Sequence, residues 1–358
     1  MALRRVVVLS LVFSGCAGGG GGGGTATTTV GTSVSASEGS ASTGSGEGSS
    51  AGTSAGPGGP TGDPGGDPTG TSGDPTMTTS GPTGDPGTTT TGASTSAGTT
   101  TGGDPGLDPD APPVVDGNWY RPGTKTTWQY QLTGDLNLDY DATVWGIDLF
   151  DHDEATIAAI QGQGRKVICY FSAGSGEDWR PDYDQIDPAA LGEPLDGWPG
   201  ERWLDFRHPS VLSVMRGRLD LAVSKGCDGV DPDNVDTFTQ NSGFQLSESD
   251  QIAYNRWMAN RAHERGLAVG LKNDLDQVDA LVEYYDFQVN EQCHEYNECD
   301  VLQPFVDAGK PVFNVEYPGS EGDANAYAPE LCPQALAADL RTVMSPLELD
   351  GTWRVACD

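Results

Sequence analysis

From Val114 onward the chain alternates between two patterns: short runs rich in β-branched and aromatic residues, and longer stretches whose apolar residues recur at helical spacing. The first pattern predicts strands over 127–132, 144–150, 166–173, 203–206, 228–233, 268–273, 286–291 and 311–317. The second predicts helices, most clearly over 154–161, 209–224, 248–265 and 300–308. Three of these helices run into a glycine and then a strand, at Gly226, Gly266 and Gly309, which suits a left-handed C-cap. Eight strands in about 245 residues, most followed by a helix, are what a (β/α)8 TIM barrel needs. A doubly wound sheet would want a Gly-rich phosphate turn after the first strand, and TGDLNLD, which follows it, is not one.

The stretch GCDGVDPDNVD (226–236) stands out within this pattern. As a strand it turns Gly229, Asp231 and Asp233 to one face and Val230 to the other, so two carboxylates share a side. Pro232 and Asn234 stop the pairing there, as at a working edge. Barrel sites are built at the C-terminal ends of strands. The polar residues at those ends are Asp148, Tyr170 with Ser172, Asp205, Asp231 with Asp233, Lys272 with Asn273, Asn290 with Glu291, and Asn314 with Glu316. Packing alone does not ask for so many ionisable side chains in equivalent places, and helix capping accounts poorly for Glu and Lys.

Ahead of the barrel the composition changes twice. Residues 1–16 begin with Arg4 and Arg5, continue as VVVLSLVF and end in Ser14-Gly15-Cys16, a basic, then apolar, then small-residue order that predicts an export signal too short to span a bilayer. Small residues before Cys16 resemble the bacterial lipobox, which implies cleavage there and lipid on that cysteine. Residues 17–113 hold no Lys, Arg, Trp, Phe or Tyr and predict a disordered linker, since Gly, Thr, Ser, Pro and Asp bury too little apolar surface to offset ordering. The domain then spans 114–358. Formal charge is −33; the signal carries two positive charges and the linker nine negative, which leaves −26 on the domain. Such acidity argues against nucleic acid and favours cationic or neutral partners.

Six cysteines follow Cys16 in a compartment that permits disulfides. The pairs Cys293–Cys299 and Cys332–Cys357 are expected to bridge; Cys169 and Cys227 are left open between buried thiols and a third bridge. No GxSxG elbow is present within 114–358, and His152, His208, His263 and His294 form no HExxH-like ligand pair, so serine and zinc hydrolases are disfavoured. His263, in NRAHERG, reads as structural. DPDNVD is the one run that could bind calcium, but no metal and no cofactor are expected. Carboxylates are abundant, and two of them across a sugar ring are the apparatus for breaking glycosidic bonds. Trp128, Trp145, Trp179, Trp198, Trp203, Tyr170 and Tyr317 offer aromatic faces for sugars, several of them necessarily core.

KVICYFSAGSGEDWRPD, GWPGERWLDFR, GCDGVDPDNVD, DQIAYNRWMANRAHERGLAVGLKND and VNEQCHEYNEC, in this order, resemble glycoside hydrolase family 114, the endo-α-1,4-polygalactosaminidase family. The similarity runs from Trp119 to the C-terminus. It implies a barrel hydrolase that cuts internal bonds of α-1,4-linked galactosamine polymers, with an Asp from VDPDNVD and a Glu from VNEQC as the catalytic pair. Asp233, nearer the strand end, is expected to be the nucleophile or charge-stabilising carboxylate, with Asp231 the runner-up, and Glu291 the general acid/base. Lys272 is expected to hold down the pKa of the ionised Asp while Glu291 stays protonated in a drier spot, in a retaining arrangement. Asp148, Tyr170, Ser172, Asp205, Asp231, Asn234, Lys272, Asn273, Asn290, Glu316 and Tyr317 are expected to line the substrate site, the acids meeting the ammonium groups of a cationic or partly acetylated polymer. A monomer held to a membrane through Cys16 completes the picture. Two other readings stand beside it: an idle barrel that only binds amino-sugar polysaccharide, and a hydrolase or transglycosidase of a different polymer.

Overall fold

The computed structural model describes residues 106–358. The expected export signal, the expected lipidation at Cys16 and nearly all of the expected linker lie outside the described residues. Segment 107–113, expected as linker, lies along the barrel: Leu107 packs on its core, Tyr284 Oη donates to Ala111 O at 2.5 Å, and Asn260 Nδ2 donates to Pro112 O at 3.0 Å.

In chain order the strands are β1 (Trp128–Gln131), β2 (Val144–Asp148), β3 (Lys166–Ser172), β4 (Ser175–Glu177), β5 (Leu191–Pro194), β6 (Glu201–Leu204), β7 (Gly229–Asp233), β8 (Ala268–Lys272), β9 (Phe287–Glu291), β10 (Val312–Glu316), β11 (Leu340–Met344) and β12 (Val355–Ala356). The main sheet runs β1-β2-β3-β7-β8-β9-β10-β11-β12, parallel from β1 to β11 and antiparallel only at β12. It curls until its ends meet: the Trp128 indole of β1 donates to Arg341 O of β11 at 2.7 Å, and Leu132 N donates to Leu349 O at 2.9 Å. This is the expected (β/α)8 architecture, with one exchange of strands. The apolar run expected over 203–206 belongs to β6, the middle strand of a separate antiparallel sheet ordered β4-β6-β5. The eighth stave is β11, which follows a helix the sequence pattern does not show, Glu321–Ala337, with Pro329 and Pro333 inside it. The helix expected over 300–308 is a 3-10 turn, Cys299–Leu302, leading into a short α-helix, Gln303–Asp307.

Period-two alternation divides each stave between two cores. Outside, Trp145, Ile147, Val167, Cys169, Phe171, Val230, Val269 and Leu271 meet the helices. Inside, Trp128, Tyr130, Val144, Ile168, Ala268, Phe287, Val289, Phe313, Val315 and Val343 fill the barrel. Glycines make room for the rings: a Cβ on Gly146 would lie 2.6 Å from the Tyr130 ring, and one on Gly270 would lie 2.3 Å from that of Phe287. At the N-terminal end, Trp119 stacks on His263 at 4.1 Å while both donate to Asp286 at 2.9 Å, which gives His263 the structural place expected of it. Three disulfides staple the domain: Cys169–Cys227, Cys293–Cys299 and Cys332–Cys357. The first resolves the open question of Cys169 and Cys227, and it joins β3 to the start of β7.

Candidate active site

Above the apolar filling, the inward positions become polar. Val230 sits in the outer core, so Asp231 and Asp233 point into the barrel, and the same alternation brings in Asp148, Ser172, Lys272, Glu291 and Tyr317. Lys272 is the hub. Its Nζ lies 2.9 Å from Asp233 Oδ1 and 2.9 Å from Glu291 Oε2, with 4% of its side chain exposed. Asp233 and Glu291 keep 16% and 27% of theirs open to solvent. The two carboxylates therefore converge on one ammonium and remain reachable from the mouth.

Each acid is held by a tyrosine. Tyr170 Oη donates to Asp233 Oδ2 at 2.9 Å, Tyr317 Oη to Glu291 Oε1 at 2.6 Å, and Tyr130 Oη to Asp231 Oδ2 at 2.9 Å. Burial, reinforced by the nearby carboxylates, keeps all three phenols protonated far into the alkaline range. Backbone geometry adds a second set of supports. Asn234, Asn273 and Gln292, the residues directly after Asp233, Lys272 and Glu291, all adopt left-handed φ of 60°, 47° and 61°. Asn234 N donates to Asp233 Oδ1 at 2.7 Å, and its side chain donates to Ser172 Oγ at 2.9 Å. Its carbonyl comes so close to Gly174 that a Cβ there would be 1.7 Å away, so the glycine is obligatory. The Asn273 amide grips Glu291 twice, accepting from its N–H at 3.0 Å and donating to Oε2 at 3.2 Å.

The electrostatics depart from expectation at Glu291. Burial pushes its carboxyl up, but the Lys272 ammonium and the hydrogen bonds from Tyr317, Lys272 and Asn273 outweigh this and leave it below the ordinary glutamate range. Glu291 is thus an ion-paired carboxylate in the free protein and not the protonated acid expected. Of the three carboxylates around Lys272, the one pushed towards neutrality is Asp231, only 1% exposed and raised to about 7, by burial first and then by Asp233 against the pull of Lys272. Lys272 is raised well above the usual lysine range: three carboxylates overcome a burial that would lower it.

Several residues expected in the site are engaged elsewhere. Asp148 is 3% exposed and clamped by Arg180 through contacts of 3.0 and 2.6 Å. Asp205 belongs to the end of β6, not to a stave, and pairs with Arg207 at 2.8 Å. Asn290 and Glu316 take the outward parity of β9 and β10: Asn290 Nδ2 donates to Asn273 Oδ1 at 3.3 Å, and Glu316 Oε1 accepts from His294 N at 2.9 Å. Trp128, Trp145 and Trp203 are core, and Tyr170 and Tyr317 serve the carboxylates. Sequence reasoning missed Tyr130, although its alternation with Trp128 in WQYQ carried the signal. It also missed Glu201 and Asp274, buried acids pushed up by burial to about 8 and about 9, whose neighbours come from distant segments.

An eight-staved barrel with two solvent-reachable carboxylates at the C-terminal ends of β7 and β9 fits the class of barrel glycosidases. The chain belongs to glycoside-hydrolase family GH114, whose model matches residues 109–358. It is similar to the crystal structure of Aspergillus fumigatus Ega3 in complex with galactosamine, with 42% identity, 68% of this chain and 99% of that one covered, and a TM-score of 0.63. The glycoside hydrolase domain of Pseudomonas aeruginosa PelA shares the fold at 14% identity, with 64% of this chain and 98% of that one covered and a TM-score of 0.52. An uncharacterized protein of Deinococcus radiodurans is 26% identical over 222 residues, which are 53% of this chain and 71% of the relative.

Proposed function

We propose that this glycosidase cuts internal bonds of α-1,4-linked galactosamine polymers, with Asp233 as nucleophile and Glu291 as acid/base. The observation that carries the pair is the shared ammonium. With Lys272 Nζ 2.9 Å from each, the nearest carboxylate oxygens lie no farther apart than two such contacts laid end to end. That leaves room for the roughly 5 to 5.5 Å spacing of retaining enzymes, the arrangement proposed here. Asp233 then attacks the anomeric carbon as Glu291 gives a proton to the departing oxygen. Esterification removes the Asp233 charge and leaves Lys272 paired with Glu291 alone, which suits Glu291 to take a proton from the incoming water.

The substrate class rests on two observations: Ega3, the 42% identical relative, is described with galactosamine bound, and the domain carries a surplus of acid. A sugar with an ammonium group is drawn to so acidic a domain in a way that a neutral sugar is not. Three disulfides favour an exported protein. A lipid on Cys16 and the linker 17–113 would then hold a monomeric barrel away from a membrane. An idle polysaccharide binder would not need both acids braced by tyrosine and asparagine. The test is oligomer release from α-1,4-galactosamine polymers of graded acetylation. Cleavage that rises with deacetylation supports the proposal; cleavage of only a different polysaccharide defeats it.

A further inference from the structure

Of the eight tryptophans, Trp119, Trp128, Trp145, Trp203 and Trp257 are buried, whereas Trp179 and Trp198 are 37% and 42% exposed. Both exposed indoles belong to the β4-β6-β5 excursion. Trp198 rides a turn fixed by Leu195 N to Glu201 O at 3.0 Å, Trp198 N to Leu195 O at 3.2 Å and Glu201 N to Trp198 O at 3.1 Å. Gly200, at φ 95°, lets the turn close on its neighbour strand: Asp178 N donates to Gly200 O at 2.9 Å, and a Cβ on Gly200 would be 3.1 Å from the Trp179 ring. The Trp179 ring therefore lies against Gly200, two residues along the turn from Trp198, with the Arg180 guanidinium 6.0 Å from its centroid and the exposed acids Asp178 and Asp196 on the same excursion.

This rim is tied to the catalytic layer by a directed chain of hydrogen bonds. Asn234, whose N–H holds Asp233, donates from its side chain to Ser172 Oγ at 2.9 Å. Ser172 Oγ already accepts that bond and one from Ser175 N, so its own proton goes to Ser175 Oγ at 2.7 Å. Ser175 Oγ in turn donates to Glu201 Oε2 at 2.8 Å, three residues beyond Trp198. The platform is thereby set at a fixed offset from Asp233.

We propose that Trp198 and Trp179, with Asp178 and Asp196, form an outlying subsite that holds an amino-sugar unit of the polymer away from the bond being cut. An indole face takes the C–H face of a pyranose and attracts an ammonium, and the flanking carboxylates pair with the same amine. A rigid outlying contact also suits internal cleavage, because it rewards a chain that extends past the reacting unit. The inference rests on the proposed galactosamine substrate but is measured separately from it.

The experiment compares wild type, Trp198→Ala and Trp198→Phe on long deacetylated galactosamine polymer and on a short oligomer. KM and kcat are read from cleavage, and binding is read by isothermal titration calorimetry. Trp198→Ala should raise KM and weaken binding for the long polymer roughly 5- to 10-fold, leave kcat and the short oligomer unchanged, and be largely rescued by Phe. Equal behaviour of Ala variant and wild type on long polymer overturns the subsite, as does an equal loss on both lengths. Fully acetylated polymer bound as tightly as deacetylated overturns the role given to the acids. Trp198-dependent binding without any cleavage would leave the subsite standing and remove the hydrolytic assignment instead.

Discussion

Lys272→Met isolates the electrostatic core of the site. Lys272 is 3% exposed and touches both carboxylates at 2.9 Å. At an effective dielectric of about 20, opposite charges whose centres are about 4 Å apart attract by about 4 kcal/mol. Removing the ammonium therefore withdraws the main force holding Glu291 ionised and leaves two acids facing one another across the cleft, one of which must take up a proton. Contacts of this kind move a carboxyl by roughly 1–3 pH units. The direction follows from the proposed role of Glu291. A general acid acts in its protonated form, and Glu291 lies below the ordinary glutamate range in the free protein, so wild-type kcat/KM should fall as pH rises through the acid range, only the minority with a proton on Glu291 reacting. In Lys272→Met that fall should begin roughly 1–3 pH units higher, although the maximal rate drops because the carboxylates lose their common anchor. Lys272→Arg, which keeps the charge, should leave the limb closer to wild type. The assay is reducing-end release over a pH series. An unchanged limb in Lys272→Met would show that the ammonium does not set the state of Glu291 and would refute the electrostatic account.

Gln292 pays the larger conformational cost among the three left-handed residues, since asparagine tolerates that region better. Gln292→Gly should raise Tm by a few degrees, worth about 1 kcal/mol, yet lower kcat several-fold by loosening Glu291; melting and turnover measured on one preparation check this. Asp274, 2% exposed, is pushed up to about 9, by burial first and then by Asp236. Unfolded, it titrates near about 3.9, so the stability it contributes is whole below that value and is lost as pH rises through about 9. Asp274→Asn should therefore change Tm little in acid and raise it by several degrees in alkali, read from melts across pH. Replacing Cys169 and Cys227 by alanine opens a cross-link between residues 58 apart in sequence, and denaturant titration should show a loss of about 4 kcal/mol.

Much of this was visible in the chain. Seven of the eight staves, the inward pairing of Asp231 with Asp233, and the placing of Lys272 and Glu291 at strand ends follow from period-two alternation and from where polar residues interrupt it. The eighth stave was hidden because LRTVM sends Arg341 inward and Thr342 outward, which blurs the apolar signal, and because Pro329 and Pro333 disguise the preceding helix. The run at 203–206 is a true strand signal, but a local pattern does not say which sheet a strand joins. Polarity at strand ends likewise did not say which acids were already taken. Asp148 is neutralised by Arg180, 32 positions away, and Asp205 by Arg207. The state of Glu291 depends on Lys272, Asn273 and Tyr317, brought together only when β8, β9 and β10 pair side by side.

The central claim is that Asp233 and Glu291 break a glycosidic bond together. Its most direct test is chain cleavage of deacetylated α-1,4-galactosamine polymer by wild type, Asp233→Asn and Glu291→Gln, with melting midpoints taken alongside. Wild type should release oligomers, and each variant, still folded, should be slower by about 1000-fold or more. Cleavage by either folded variant at the wild-type rate would contradict the account.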